Sequence, residues 1–257
     1  MNTHYTKVGI KHLSNSHVNM FRADPARWYL GYVCKVFGGG NHNTARGSAV
    51  EVGYDYIWQN EFGTLDEGVG KAVEYYNRQT ALSLNDKREK EREHIKPFIE
   101  QMVEATKPYG TPTSSQNKLT LRMEGVNCDI IGYDDYTFAP HGDDPRPICL
   151  DLKTTHRVPS EMTDSHKRQM SLYQAMRPDH RILICYVSTK KHVIYELDPE
   201  EAVKINQEFK IAAQAIERLL GLFEDPKELG QLFAPDYSSF YWDDATVRAE
   251  AKRIWGY

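Results

Sequence analysis

The 257-residue chain has no long hydrophobic run, and its wholly apolar stretches last only a handful of residues. A bilayer-spanning helix needs about 20 apolar residues in succession, so none is expected. Met1 to Lys7 offers no apolar core of a signal peptide, and a cytoplasmic location is the expectation. Cysteine is scarce: Cys34, Cys128, Cys149 and Cys185 include no C-x-x-C pair. Three of them sit in apolar, strand-like runs, which points to buried free thiols. Cys34 with His42 lacks a second ligand pair, so structural zinc is not expected. An excess of positive charge is also missing, since 32 Lys and Arg face 36 Asp and Glu for a net charge of −4. Any contact with nucleic acid must therefore come from a local basic groove. Phe37 to Asn41 is glycine-rich but lacks the Lys-Ser/Thr of a phosphate-binding loop, and no G-x-S-x-G or H-E-x-x-H occurs.

What remains is ordinary globular composition, 40% hydrophobic and 26% charged, without repeats or a Gly/Ser linker. One domain over residues 1–257 is expected, in three parts: 1–117 mainly helical, 118–200 built around a sheet, and 201–257 helical. Val18, Met20, Phe21, Trp28, Tyr29 and Tyr32 recur at helical intervals, broken at Asp24-Pro25. Further helices are predicted from Thr44 to Gln59, from Thr64 to about Ala81, and from near Asp86, where mixed charges suit i,i+4 pairs on a solvated face. Lys107 to Asn117 reads as a surface loop. Short β-rich runs follow at Leu119–Met123, Asn127–Phe138 and Ile148–Thr154, then a helix over Met162–Met176, then strands at Arg181–Ser188 and His192–Leu197. A tight turn at Thr189 to Lys191 joins the last two strands, and a long amphipathic helix starts at Pro199. Residues 235–257 are aromatic-rich, which fits a clasp over the core better than a base-stacking surface. This order gives an α/β fold with a mixed sheet flanked by helices and a helical N-terminal region.

The chemistry concentrates at Ile130 to Tyr136 and Cys149 to Thr154. Asp151 and Lys153 are two apart on a predicted strand and leave the same face, while Ile148, Leu150 and Leu152 alternate toward the core. Charges in mid-strand are costly unless paired or bound to metal. Two carboxylates on neighbouring strands beside a lysine form a hard-oxygen site suited to Mg²⁺ or Mn²⁺. An Asp151–Lys153 ion pair on an exposed face is the plain alternative.

Four elements in order resemble the PD-(D/E)XK nuclease superfamily, in its RecB-type and phage-exonuclease branch: Arg46 to Glu51, Gly132-x-x-Asp135, Asp151-Leu152-Lys153, and Gln169-x-x-x-Tyr173. The segment from Leu13 to Tyr29 is similar to the N-terminal part of that branch. The resemblance implies a restriction-endonuclease-like core and a divalent-metal-dependent deoxyribonuclease. The implied use is exonucleolytic resection of DNA ends in recombination, repair or phage replication, in a bacterial cell or a phage-infected host. A structure-specific endonuclease and a non-catalytic DNA-binding module recruiting a recombination partner are the alternatives.

The resemblance places Mg²⁺ or Mn²⁺ on Glu51, Asp135, Asp151 and the Leu152 carbonyl. Lys153 would orient or help deprotonate the attacking water and stabilise charge on the phosphate. Many relatives carry histidine where this chain has Glu51. Asp134 and Asp135 point to opposite faces of a strand; the Gly-x-x-Asp spacing favours Asp135, with Asp134 the alternative. Gln169 and Tyr173 share a helix face and would hold the lysine or the DNA backbone, and both count among the catalytic residues. Arg46 is a candidate phosphate contact, as are Lys167 and Arg168, clustered with His166. No cysteine follows Cys185, so the iron–sulfur cluster of some relatives is not expected. DNA is the implied partner, with a single-strand annealing or single-strand-binding protein and a homo-oligomer also compatible, and no membrane.

Overall fold

The computed structural model describes residues 3–60, 63–82 and 87–256. The helical N-terminal part opens with α1 (His4–Lys7), a short strand β1 (His12–Leu13), α2 (Asn15–Ala23) and α3 (Pro25–Trp28). Ser14 caps α2 through the His17 amide, and Asp24 caps α3 through the Arg27 amide, with Pro25 fixing the first turn. Asp24-Pro25 is thus a helix end followed at once by a new start, as the sequence predicts. A π-helical turn over Tyr29–Val33 follows. Next come α4 (His42–Gln59), α5 (Leu65–Gln79), α6 (Lys87–Glu93) and α7 (Ile95–Thr106). Asp86, the expected start of the charged helix, lies outside the described residues. Helix α4 passes close to α5 at Gly53 and Gly68, where a methyl on either glycine would come within 2.8 Å of the other's carbonyl oxygen.

The sheet region holds β2 (Ser114–Ser115), β3 (Lys118–Leu121), β4 (Asp129–Tyr133), β5 (Tyr136–Phe138) and β6 (Ile148–Thr154), then α8 (Asp164–Met176), β7 (Arg181–Val187) and β8 (His192–Glu196). Helices α9 (Pro199–Leu220) and α10 (Ala245–Trp255) complete the chain, separated by 3₁₀ turns at Pro226–Leu232 and Phe240–Trp242. Two sheets form, in the orders β1-β4-β3 and β2-β5-β6-β7-β8. β6 and β7 pair in parallel, and β5 and β8 flank them antiparallel, which makes the larger sheet mixed. The fold is α/β, with mixed sheets flanked by helices.

Two departures from the sequence pattern matter for the site. The predicted single strand over 127–138 is broken at Asp134-Asp135, where the chain passes from one sheet to the other. The predicted loop at 107–117 carries a 3₁₀ turn and the strand β2, which pairs with Tyr136 and Thr137. Both faces of the large sheet are covered. Ile148, Leu150, Leu152, Leu183 and Cys185 pack toward Val50, Tyr54, Phe98 and Ile99 of α4 and α7. Cys149, Ile182, Ile184 and Tyr186 pack toward Met170 and Tyr173 of α8. Buried on both sides, β7 reads as the continuous apolar run Ile182–Val187.

The C-terminal aromatics form a clasp. Trp242 is fully buried with Ala26, Leu30, Val247 and Ala251, and its indole N–H donates to Asp24 Oδ2 at 2.6 Å. Gly39 of the glycine-rich segment donates its amide to Asp244 Oδ2 at 3.0 Å, which ties that segment to the start of α10. Cys128, Cys149 and Cys185 are buried free thiols and Cys34 is half-buried, also free. Among the described residues, no helix is long and apolar enough to cross a membrane.

Candidate active site

Three separate segments deliver charged side chains to one place. Strand β6 supplies Asp151 and Lys153, whose shared face is decided by the two-residue period of the strand. That face is covered by α8, so the Asp151 side chain is only 1% exposed, and its carboxylate faces the Lys153 ammonium. The β4–β5 break supplies Asp135, whose Oδ2 accepts the Leu152 amide at 2.7 Å. Helix α4 supplies Glu51, close enough to interact electrostatically with both Lys153 and Asp151. The predicted Asp151–Lys153 pair therefore exists, but inside the protein rather than on an exposed face.

The electrostatics follow from burial of three carboxylates with one cation. Burial raises the Glu51 carboxyl to about 7, with Lys153 opposing and Asp151 adding to the rise. Burial also raises Asp135 well above the usual carboxylate range, reinforced by Asp151 and opposed by Lys153. Asp151 is raised by burial against the pull of Lys153. For Lys153 burial works downward, but Asp151 and Asp135 outweigh it, and its proton is held more tightly than in water. Removing three carboxylates from water against a single ammonium leaves negative charge uncompensated.

Helix α8 supports this group. Thr163 caps it through the His166 amide. Gln169 Nε2 donates to Asp151 Oδ1 at 2.7 Å and to the Tyr173 hydroxyl at 2.9 Å. The Tyr173 hydroxyl in turn donates to the Tyr133 carbonyl. Gly132 makes this possible, because a methyl there would lie 2.6 Å from Tyr173 Cε1. The glycine of the Gly-x-x-Asp motif is thus the seat of the Tyr173 ring.

Asp134 belongs to a different network. Its Oδ1 accepts the Asn117 amide at 2.9 Å and Asn117 Nδ2 at 3.0 Å, and its Oδ2 accepts Thr137 Oγ1 at 3.0 Å. Arg177 at the C-terminus of α8 pairs with the same oxygen at 2.8 Å. The structure brings Asp135 to Asp151, Lys153 and Glu51, whereas Asp134, which also raises the Asp151 carboxyl, is held by Asn117, Thr137 and Arg177.

The predicted phosphate contacts make other bonds. Arg46 is 2% exposed, stacks over the Phe98 ring at 4.5 Å, and pairs with Glu91. Its guanidinium also reaches His156 Nε2 at 3.2 Å and Thr154 Oγ1 at 3.4 Å. Lys167 pairs with Glu201 at 2.8 Å, Arg168 donates to Asn19 Oδ1 at 2.5 Å, and His166 Nδ1 lies 2.6 Å from the Tyr186 hydroxyl. These three bind neighbouring elements rather than the carboxylate group.

Sequence reasoning missed several participants. Asp55 lies one turn beyond Glu51 on α4, and burial raises its carboxyl; the i,i+4 spacing was the available signal. Gln116, in the left-handed region at φ 52°, places Nε2 3.5 Å from Asp135 Oδ1. Glu91, His94 and His156 bring one ligand atom each within 4.8 Å of one another, a group able to hold a metal ion, with the Arg46 guanidinium against it. The Glu51–Lys153 region opens to solvent through a cleft of about 340 Å³ lined by Asn43, Arg46, Gly47, Leu152, Lys153 and Thr154 among others.

No family model matches the chain, and no curated protein matches it. Among solved structures, one titled "Crystal structure of SSO0001" aligns over 75% of this chain and 84% of that one, at 15% identity and a TM-score of 0.32.

Proposed function

We propose that the chain is a divalent-metal-dependent DNA exonuclease with a restriction-endonuclease-like core. The observation that carries this reading is the convergence of Glu51, Asp135 and Asp151 on one ammonium, Lys153, beside an open cleft. Three carboxylates raised by burial and left short of positive charge are the donor set a hard divalent cation needs. Glu51, Asp135 and Asp151 would hold Mg²⁺ or Mn²⁺, with the Leu152 carbonyl as the backbone ligand the resemblance implies. Such an ion would acidify bound water and offset phosphate charge.

The chain's own residues do the rest. Asp151 and Asp135 raise Lys153 against its burial, and Lys153 would orient or help deprotonate the attacking water and stabilise charge on the phosphate. Gln169 fixes Asp151 through Oδ1, and Tyr173 fixes Gln169 and the strand before Asp135. The water oxygen would bond to phosphorus as the phosphorus–oxygen bond to the leaving group breaks, the water giving up one proton to solvent and the leaving oxygen taking one up, which leaves one phosphate end and one hydroxyl end.

The test incubates the protein with linear and closed circular DNA in Mg²⁺, Mn²⁺ or EDTA, beside Lys153→Ala. Metal-dependent loss of the linear form alone, abolished by the substitution, is expected. Cleavage of the circle would replace the exonuclease with an endonuclease. Binding of both forms without cleavage in any metal would replace it with a DNA-binding module.

A further inference from the structure

A second groove, of about 740 Å³, lies at the other end of β6 from its buried start. Its walls are the segment after β6, with His156 and Arg157, and the β7–β8 turn, with Lys190 and Lys191. No carboxylate lines it. Arg157, Lys190 and Lys191 are exposed, and none pairs with an acid among the described residues. Cations elsewhere on the surface behave differently: Lys167 pairs with Glu201, Arg181 with Glu196 and Arg146 with Asp144. In a chain with net charge −4, three unpaired cations around one groove form a local positive field.

The groove is held open by its own hydrogen bonds. Ser188 Oγ accepts the Lys190 and Lys191 amides at 3.3 and 3.1 Å and donates to the Lys191 carbonyl at 2.9 Å, which fixes the turn carrying both lysines. The Thr155 amide donates to the Val187 carbonyl at 2.8 Å, and the Tyr195 hydroxyl to the Pro159 carbonyl at 2.9 Å, so both walls are anchored. Binding there orders little that is not already ordered.

The groove lies beside the carboxylate cleft. Thr154 lines the cleft and His156 the groove, and two residues of extended chain span at most about 7 Å. The Arg46 guanidinium bridges them, touching Thr154 Oγ1 and His156 Nε2.

We infer that this groove binds the phosphodiester backbone of the DNA strand whose scissile phosphate sits at Asp135, Asp151 and Lys153, with Arg157, Lys190 and Lys191 each taking a phosphate. The inference rests on the nuclease reading and adds the path of the strand. Contacts of this kind are sequence-independent and strongly salt-dependent.

The test compares the full chain with the triple variant Arg157→Ala/Lys190→Ala/Lys191→Ala, using fluorescence anisotropy on a labelled DNA of about 30 nucleotides in EDTA over a range of salt. A control, Lys204→Ala/Lys227→Ala/Lys252→Ala, removes the same charge elsewhere on the exposed surface. The groove variant should bind about tenfold to a hundredfold more weakly, with a log K against log salt slope shallower by about 2–3. The control should keep most of both, and equal thermal midpoints establish that all three proteins are folded. If the unaltered protein binds DNA and the groove variant binds it with the same affinity and slope, the groove is refuted while the nuclease reading stands. An equal loss in the control refutes it too, by reducing the effect to net charge. If the unaltered protein binds no DNA, both fall together.

Discussion

Gly132→Ala tests the support of the site more sharply than removal of any charged group. The added methyl would lie 2.6 Å from Tyr173 Cε1 and about as far from relief as a packed ring allows. The ring cannot swing aside cheaply, because its hydroxyl is held by the Tyr133 carbonyl and by Gln169. Overpacking of this kind costs about 1–3 kcal/mol, and each displaced hydrogen bond about 0.5–1.5 kcal/mol. With both bonds displaced a total of about 2–6 kcal/mol follows, or about 4–24 °C in thermal midpoint for a chain of this size. If the ring moves, Gln169 moves with it, and Asp151 Oδ1 loses its donor. A displacement of about 1 Å at a reacting group costs about a hundredfold in rate. The assays are a melting curve and the rate of linear DNA loss. The decisive comparison is Tyr173→Leu, which empties the space the methyl needs: on that background Gly132→Ala should cost less than about 0.5 kcal/mol. An unchanged midpoint in Gly132→Ala, or additive effects in the double variant, would show that the ring and the glycine are not coupled as described.

Other outcomes follow from the same geometry. Mg²⁺ or Mn²⁺ at about a hundred times its dissociation constant should stabilise the protein by about 2.7 kcal/mol, visible as a raised midpoint, and Asp151→Asn should remove that rise; an equal rise in the variant would place the ion elsewhere. Arg46→Met leaves the buried Glu91 without its guanidinium, with only His94 and His156 beside it, and should cost up to about 3–5 kcal/mol in denaturant melts, whereas Arg46→Met with Glu91→Leu should recover much of it; a double variant as unstable as the single would contradict a buried pair. Burial lowers His17 and His166 to about 4, so both are neutral in the folded protein at pH 6. Each carries stability that is complete above the unfolded value of about 6.5 and is lost as pH falls toward 4, where the unfolded chain binds the extra protons. The two histidines pull the midpoint down across that window while the raised Glu51, Asp135 and Asp151 pull it up, so His17→Gln with His166→Gln should shift the slope toward greater stability at low pH; the same slope in both proteins would exclude these histidines.

Where function hangs on alternation along a strand, the sequence is readable: Asp151 and Lys153 share a face because the strand period is two, and the surrounding apolar residues mark it as a strand. Gln169 and Tyr173 are readable for the matching helical reason. The division of labour between Asp134 and Asp135 is not, because it is made by Asn117 and Arg177, which arrive from elsewhere in the chain. Arg46 beside a glycine reads as a phosphate contact, yet the structure buries it against Glu91. That partner stands in the run Lys87–Glu93, whose mixed charges give no sign that one carboxylate turns inward. Ser114-Ser115 has no strand signature either, and it becomes a strand because Tyr136 and Thr137 offer unpaired backbone beside it.

The bond between the Trp242 indole and Asp24 joins residues 218 positions apart, and the Tyr5 hydroxyl meets the Ala213 carbonyl across 208. On a ribosome these contacts cannot close until nearly the whole chain has been made. At about 5–20 residues per second, α2 and α3 wait on the order of 10 s or more for their partners. Every residue of the carboxylate group, from Glu51 to Tyr173, is made before then. The first helices thus emerge with Trp28 and Leu30 lacking the surfaces that later cover them, and the nascent protein passes through a state in which the chemistry is written but the cover is not. Ligands that bind only the finished site report the closing of that clasp as much as the presence of the carboxylates.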